Sequence, residues 1–371
     1  MLARELARDH DVTVLALRWP DQMEGDGAPT GVDLRTVPAP SGAGGRFRDR
    51  LDAVVRSRPV GWDRLVRNIG PELAAVLAGG DVDVVHVVPD DLAGLAPLLH
   101  GHPAVIAPLD ARHHNVRAQA DQASGLVRHW REHQARAVER RLATALRPYG
   151  AAVFVTEEDA EEIGRLDPQA RPRVIPLAID AARFAPPVDG GPRDPTQVLF
   201  TGVLATPANE QAARRLAVDV MPLVRAEVPE ARLSLVGRAP SAAVRGLHGP
   251  GVEVVADAPD LRPWLWHAGA FACPMAQGTG SKNKLLEAMA AGAATVATPL
   301  ACRGLAVRDG EHLLVAGTDR ELAAGLVAVL RDEGLRGRLG AAGRALVAND
   351  HAPGRIAARY VALYEDVIAR S

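Results

Sequence analysis

The sequence predicts an α/β protein built from two doubly wound domains. Short apolar runs alternate with helical stretches along the chain, which is typical of parallel sheets covered by helices. The alternation stops at a stretch rich in proline and glycine, residues 185–195, and then begins again. The chain has 371 residues. At ~150 residues per domain, this length also indicates two domains.

The composition disfavours several other classes of protein. Hydrophobic residues make up 47% and charged residues 24% of the chain, which is normal for a globular protein. The formal net charge of −2 gives no overall attraction to nucleic acid, so we expect no nucleic-acid partner. The two cysteines, Cys273 and Cys302, are too few for a disulfide framework. Without a membrane-spanning apolar run or a signal peptide, the sequence predicts a cytoplasmic protein.

The first domain is predicted to cover residues 1–185. It begins with a helix at residues 2–7, and a short buried strand is expected at residues 12–17. Further apolar runs predict strands at residues 82–88, 104–109, 151–155 and 174–176, with a long helix at 118–146. Residues 186–197 are then the predicted linker, because their proline and glycine content suits an exposed connection.

The second domain is predicted to cover residues 198–350. Strands are expected at residues 198–201, 232–236, 252–255, 268–273 and 294–298, and helices at 210–228, 282–291, 319–332 and 333–348. The remaining residues, 351–371, contain one more amphipathic helical segment. We expect this last helix to pack back toward the first domain.

A glycine-rich turn between a strand and a helix carries the clearest chemical signal. Residues 278–292 read Gly-Thr-Gly-Ser-Lys-Asn-Lys-Leu-Leu-Glu-Ala-Met-Ala-Ala-Gly, and they lie where α/β sheets bind ligands, beyond the carboxyl ends of the strands. Gly278 and Gly280 let the backbone approach a ligand closely. Ser281 is expected to cap the helix, whose free N–H groups then point outward. One turn later, Glu287 can accept hydrogen bonds from ribose hydroxyls.

Both lysines of the chain lie in this turn. The other 41 of the 43 basic residues are arginine, so Lys282 and Lys284 supply compact ammonium charges where the rest of the chain uses guanidinium groups. Together with the helix start they predict a diphosphate-binding site, and a solvated strand-to-helix turn is the alternative. The P-loop motif and the dinucleotide-binding glycine motif are absent, which disfavours ATPases and classical dehydrogenases.

The second domain resembles the retaining glycosyltransferases of family four, which have the GT-B fold of two facing Rossmann-like domains. Besides residues 278–292, the resemblance rests on Phe200-Thr201-Gly202 with Pro207 and Asn209, Val236-Gly237, Thr298 with Gly304-Leu305, Asp309-Gly310 and Leu313-Leu314-Val315. In the first domain it is limited to residues 155–160 and 174–184. The likeness is closest to sugar transferases of polysaccharide and natural-product pathways.

This resemblance implies transfer of a sugar from a nucleoside diphosphate donor to an unidentified acceptor, through a hydroxyl or a similar nucleophile. It also implies retention of anomeric configuration, with no cofactor and no essential metal. In the family, the residue that matches Glu287 holds the donor ribose, and those that match Gly278, Thr279 and Gly280 face the donor sugar and phosphates. The family's acidic residue eight positions before the glutamate is Thr279 here.

A second departure from the family lies after the first strand of the second domain. Many relatives place an arginine and a lysine there to neutralise the diphosphate, whereas residues 205–207 of this chain are Ala-Thr-Pro. We infer that Lys282 and Lys284 take over this role, with Arg238 or Arg303 as helpers. The predicted donor-binding residues are Gly202, Gly237, Arg238, Gly278, Thr279, Gly280, Ser281, Lys282, Lys284 and Glu287.

The predicted catalytic residues are Asp110, His113 and Thr279. In relatives, a histidine or aspartate at the end of the strand that matches residues 104–109 faces the reacting sugar, and Asp110 has that place here. It could orient the donor sugar or the acceptor, and His113 or His114 could transfer a proton because an unperturbed histidine has a pKa of ~6.5. The ordinary alternatives are a capping or loop aspartate and two surface histidines.

Residues 46–67 form a basic amphipathic stretch in which arginines alternate with leucine, valine and tryptophan. Such a stretch can make a weak peripheral contact with an anionic membrane, although a solvated loop and helix on the acceptor side is the commoner explanation. The family's first strand and glycine-rich loop have no counterpart here, so we expect a start codon upstream of residue 1.

The sequence is also compatible with other functions. The same fold serves sugar-nucleotide epimerases and phosphorylases, and a non-catalytic partner subunit is a third alternative, suggested by Thr279 and by the absent N-terminal loop. The sequence predicts no particular oligomeric state.

Overall fold

A computed structural model describes residues 1–19, 29–40, 62–99, 101–109, 124–187, 191–278 and 283–371. They form two compact units, one of residues 1–176 with 353–371 and the other of residues 177–352. Both units are α/β, as the alternation of apolar runs predicted. In the described part of the chain, no helix combines the length and the hydropathy needed to cross a membrane.

The first unit is built on parallel strands. Its elements are α1 (Leu2–Leu6), β1 (Val12–Arg18), β2 (Val32–Pro38), α2 (Trp62–Ala78), β3 (Val85–Val87), a 3₁₀ helix (Asp90–Leu98), β4 (Ala104–Leu109), α3 (Gly125–Ala145), β5 (Ala151–Phe154), α4 (Glu157–Leu166), a second 3₁₀ helix (Pro168–Ala170) and β6 (Pro172–Val174). Strands β3, β4, β5 and β6 pair in that order, and β1 pairs with β2 separately.

Burial explains why the central strands of this unit could be predicted from the sequence. Ile106, Ala152 and Phe154 are completely buried, as expected for parallel strands that are covered on both faces. Helix α4 was not predicted. It begins after Thr156, whose side chain accepts a hydrogen bond from the Asp159 backbone N–H at 3.2 Å, a capping arrangement that stabilises a helix start.

The second unit has the strand order of a dinucleotide-binding fold. Its elements are β7 (Asp194–Val203), α5 (Pro207–Arg214), a π-helical turn (Arg215–Val220), α6 (Met221–Glu227), β8 (Arg232–Arg238), α7 (Ala242–Arg245), β9 (Val252–Ala256), α8 (Arg262–His267), β10 (Ala268–Cys273), α9 (Asn283–Ala290), β11 (Thr295–Ala297), β12 (Leu314–Val315), α10 (Asp319–Arg331) and α11 (Glu333–Asp350). The parallel strands follow the order β12-β11-β10-β7-β8-β9. Because β7 and β10 are neighbours, the chain changes direction across the sheet between them.

The boundary between the units corrects the sequence prediction. The first unit ends at residue 176 rather than 185, because the following segment packs on the second unit. Ile179 is buried in the core of that unit, and the indole Nε1 of Trp266 donates a hydrogen bond to the Phe184 carbonyl at 2.8 Å.

The linker predicted at residues 186–197 is also wrong in its second half. The guanidinium of Arg193 donates to the backbone carbonyls of Leu265 at 2.8 Å, Ala268 at 3.1 Å and Ala291 at 2.7 Å. Strand β7 then begins at Asp194. Composition marked this segment as a linker because the bonds of one arginine to distant carbonyls leave no local signal.

The last helix, α12 (Pro353–Ala369), belongs to the first unit. Its apolar face carries the buried Tyr360 and Val367. The Tyr364 hydroxyl lies 2.7 Å from His86 Nδ1 on β3, and burial lowers the pKa of His86 to about 4. The helix is therefore tied to the edge of the sheet through a neutral imidazole.

Candidate functional site

The carboxyl ends of β7 and β10 lie side by side at the point where the strand order changes direction. Ligands of open α/β sheets bind at such a point. Strand β7 ends at Gly202 and Val203, and the chain after β10 runs through Gly278 to the start of α9. Gly278 and the start of α9, which flank the predicted glycine-rich turn, therefore follow the strand that lies beside β7.

Gly202 and Gly237 are opposite each other on β7 and β8, and the two backbones approach too closely for side chains. A Cβ atom on Gly237 would lie 1.8 Å from the Gly202 carbonyl oxygen. Since that obstacle is backbone, it cannot move aside as a flexible side chain would. Both residues were predicted to bind the donor, and the structure shows that they also set the spacing of the strand ends.

We expect Gly237→Ala to destabilise the second unit by roughly 2–4 kcal/mol, because the new methyl group must push β7 and β8 apart. Urea denaturation of the variant and the parent chain measures this loss. Gly249→Ala is the matched control, since a Cβ there meets no heavy atom within 4 Å. Equal stability of the two variants would contradict the steric argument.

Lys284 reaches from the first turn of α9 to the end of β7. Its ammonium Nζ donates a hydrogen bond to Asn209 Oδ1 and lies 4.4 Å from the centroid of the Phe200 ring. A Cβ on Gly202 would lie 2.9 Å from Nζ. The ammonium therefore lies at the switch point, near residues 205–207, which carry no basic side chain.

Glu287 lies one turn along α9 from Lys284 and is half-buried. Burial raises the pKa of its carboxyl group above the usual value, and the positive charges of Lys284 and Arg183 partly offset this effect. The neighbouring Leu286 and Ala288 are completely buried, so the helix is fixed in the core. A desolvated carboxylate at this position is suited to accept hydrogen bonds from a pair of hydroxyl groups.

Side chains from neighbouring elements hold the chain between β10 and the glycine-rich turn. Thr298, after β11, donates its hydroxyl to the Met275 carbonyl at 2.7 Å. Arg215 in the π-helical turn donates to the Pro274 carbonyl at 3.0 Å and pairs with Asp319 at 2.5 Å. These contacts fix the base of the turn that leads to Gly278, whose φ of +109° favours glycine.

The ends of β8 and β9 form the next part of this edge. Arg238 is exposed at the end of β8, beside Val203. After β9, Asp257 adopts a φ of +53° and its Oδ1 accepts a hydrogen bond from the Ala239 backbone N–H at 2.8 Å. Ala239 also has a positive φ, of +47°. Two non-glycine residues in this conformation mark the edge as strained, which is frequent at functional sites.

Several predicted site residues lie outside the described residues. These are Asp110, His113, Thr279, Gly280, Ser281 and Lys282. The basic stretch at 46–67 is described only from residue 62 onward. Within the described ranges, no group of three or more histidine, cysteine, aspartate or glutamate residues is arranged to hold a metal ion.

Asn209 and Phe200 contact Lys284 but were not among the site residues predicted from the sequence. Asn209 appeared only as part of the family resemblance, and its polar side chain near the start of a helix is ordinary by itself. Phe200 lies in an apolar strand and gives no signal beyond core packing. Their role depends on a lysine that is 75 residues away from Asn209 in sequence.

Comparison with known proteins gives a family match within the second unit. Residues 195–332 match the family model described as "Glycosyl transferases group 1". Phosphatidyl-myo-inositol mannosyltransferase of Mycobacterium tuberculosis is 34% identical over 190 residues, which cover 47% of this chain and 48% of that protein. The enzyme of the same name from Mycolicibacterium smegmatis is 31% identical over 175 residues, 44% of each chain. The chain thus spans about half the length of the curated relatives it matches.

Solved structures establish the fold over the whole chain. Sucrose-phosphate synthase from Thermosynechococcus elongatus has a TM-score of 0.74 and 18% identity, with 100% of this chain and 92% of that chain covered. Anabaena HepE, solved in complex with UDP and glucose, has a TM-score of 0.67 and 12% identity, with 96% and 100% covered. The fold is GT-B, the fold of these glycosyltransferases. The match to the group 1 glycosyltransferases covers residues 195–332, which lie in the second unit.

Proposed function

We propose that this protein is a glycosyltransferase that moves a sugar from a nucleoside diphosphate sugar to an acceptor. The proposal rests mainly on the position of the Lys284 ammonium, which Asn209 and Phe200 hold at the end of β7. An ammonium fixed at the switch point of an open sheet is suited to bind a diphosphate and to stabilise the charge that develops when this group leaves.

Glu287 supplies the second half of the donor site. It follows Lys284 by three residues on α9, so the two side chains lie on the same side of the helix. In a nucleoside diphosphate, the ribose carries two hydroxyl groups close to the diphosphate. We assign Glu287 to the ribose and Lys284 to the diphosphate, with Gly278, Thr279, Gly280, Ser281 and Lys282 around the donor.

The comparisons support this class of substrate. The mycobacterial relatives carry mannosyltransferase in their name, and the structure of Anabaena HepE was solved with UDP and glucose. Retention of configuration, independence of metal and the catalytic roles of Asp110, His113 and Thr279 are parts of the proposal that rest on the family resemblance. The acceptor is assigned no chemical class beyond a hydroxyl or similar nucleophile.

A binding and turnover series tests the proposal. Calorimetric titration of the folded chain with UDP, GDP, ADP and dTDP should show saturable binding of at least one nucleotide. The matching sugar nucleotide should then be converted, in the presence of EDTA, to the diphosphate and either a glycoside or free sugar, and NMR of the first product formed should show the donor's anomeric configuration. An altered nucleotide sugar without release of diphosphate would instead indicate an epimerase, and no binding by the folded chain would contradict the proposal.

Nucleotide affinity is expected to fall on acidification. Only the ionised Glu287 can accept both ribose hydroxyls, and burial places the pKa of this group above its usual value of 4.5. Binding should therefore weaken at a higher pH than an ordinary glutamate would cause. Calorimetry between pH 8 and the onset of acid unfolding measures the profile. The diphosphate's own titration is common to the parent and Glu287→Gln, so a profile unchanged in the variant would remove Glu287 as its cause.

A further inference from the structure

Among the described residues, Asn209, Phe200 and Gly202 lie next to the Lys284 ammonium at the end of β7. Asn209 Oδ1 accepts its hydrogen bond, the Phe200 ring presents a face at 4.4 Å, and Gly202 leaves the space that a Cβ would fill at 2.9 Å. We call Asn209, Phe200 and Gly202 the lysine seat. Phe200 is completely buried, so its ring cannot turn away from the ammonium without disturbing the core.

The Asn209 side chain is itself fixed in one orientation. It is 9% exposed, and its amide Nδ2 donates to the Val203 carbonyl at 2.9 Å. Neither the Val203 carbonyl nor the Lys284 ammonium permits the opposite amide orientation, since a carbonyl only accepts and an ammonium only donates hydrogen bonds. The Asn209 oxygen must therefore face Lys284.

Holding a lysine in place before the ligand arrives has a physical consequence. The four-carbon stem of lysine has large rotational freedom, and immobilising such a side chain during binding opposes affinity. A lysine that is already held by a neutral amide keeps its full charge and has less freedom to lose. An aspartate in place of Asn209 would also hold the ammonium, but would cancel its charge.

We propose that Asn209 is a positioning residue for diphosphate binding, which acts through Lys284 by holding the ammonium at the end of β7. The inference rests on the proposed function and adds to it a residue with no direct contact with the donor. It differs from a purely structural role because its whole effect on affinity must depend on the presence of Lys284.

A double-mutant cycle tests this dependence. The dissociation constants of UDP and GDP are measured by calorimetry for the parent chain, Asn209→Ala, Lys284→Ala and the double variant. We expect Asn209→Ala to weaken binding about five- to tenfold in the parent, the size of the cost of immobilising one freed lysine side chain during binding. In the Lys284→Ala background the same change should have no effect, so that the coupling equals the whole loss. Additive losses would overturn the inference.

Thr206→Ala is the matched control. The Thr206 hydroxyl donates to the same Val203 carbonyl, at 3.1 Å, without contact to Lys284. Removing it disturbs the turn after β7 but leaves the lysine seat intact, so nucleotide affinity should remain within about twofold of the parent. An equal loss in both variants would show that Asn209 acts through the turn, and the inference would be wrong.

Asn209→Asp is a third test, in which the side chain at position 209 still contacts Lys284. The carboxylate has the shape of the amide and pairs with Lys284, so the field of the ammonium is cancelled, and the change also replaces the donor to the Val203 carbonyl by an acceptor. We expect diphosphate affinity to fall at least as far as in Asn209→Ala, and affinity as high as that of the parent would contradict the argument.

The two proposals fail in distinguishable ways. If the folded parent chain binds neither UDP nor GDP, the proposed function fails and the inference fails with it. If the parent binds, and Lys284→Ala weakens binding while Asn209→Ala does not, the proposed function stands and the inference alone is overturned.

Discussion

Replacing Lys284 by alanine is expected to weaken the binding of nucleoside diphosphate about 10- to 100-fold. A hydrogen bond to a charged group contributes about 1.5–3 kcal/mol, and each 1.4 kcal/mol corresponds to about a factor of ten in affinity. The ammonium lies against the Phe200 ring and away from bulk water on that side, so its interaction with a diphosphate is less screened than at an open surface. Calorimetric titration with UDP and GDP measures the loss.

Inorganic pyrophosphate separates the charge effect from the rest of the nucleotide. Its binding should weaken in Lys284→Ala by a similar factor, because the ligand retains only the part that Lys284 is proposed to contact. Arg245→Ala, which removes an exposed cation from the same unit, should leave both affinities nearly unchanged. Equal losses in the two variants would show that overall charge, rather than the switch-point lysine, governs binding.

Replacing Glu287 is expected to lower nucleotide affinity while raising the stability of the free protein. Glu287→Ala should lose about 100-fold in affinity for the nucleotide, since two hydrogen bonds to a carboxylate disappear, and nothing for inorganic pyrophosphate, which has no ribose. Glu287→Gln should lose less, because its amide oxygen still accepts one bond. Calorimetry with both ligands measures this contrast.

The stability effect has the opposite sign because of the pKa of Glu287. Burial raises this pKa above the unfolded value, so the folded protein binds the proton more tightly and loses stability as the pH rises through that range. Above this raised pKa the group is ionised and the cost is fully present. Glu287→Gln removes it, so the thermal midpoint should rise. A fall in both stability and affinity would indicate a structural role instead.

Many elements of the second unit could be predicted because the sequence patterns that indicate them are local. Strands at 232–236 and 268–273, and the helix that begins near residue 282, follow from apolar runs and from the glycines that flank them. Gly292, shortly after the end of that helix at Ala290, has a φ of +69°, the conformation that makes glycine common just beyond a helix. In such segments the backbone preference and the burial pattern agree, and tertiary contacts only confirm them.

The elements that were not predicted have weak local patterns. Strand β2 is largely exposed, so its apolar pattern is weak, and helix α4 depends on a threonine cap rather than on a long apolar stripe. The domain boundary was misplaced because Phe184 accepts a hydrogen bond from Trp266 and Arg193 donates one to Leu265, each across more than 70 residues. Composition at a boundary reports local polarity, whereas the packing that decides the boundary comes from distant residues.

The groups available to the site follow from local sequence: a glycine-rich helix start, two lysines among arginines, and a glutamate one turn further on. Their neighbours in the fold do not. The strand order brings the end of β7 beside α9, so Lys284 meets Asn209, Phe200 and Gly202, residues that no local pattern connects to it. A side chain's chemistry is encoded at its own position, but its neighbours are set by how parallel strands order themselves across the sheet.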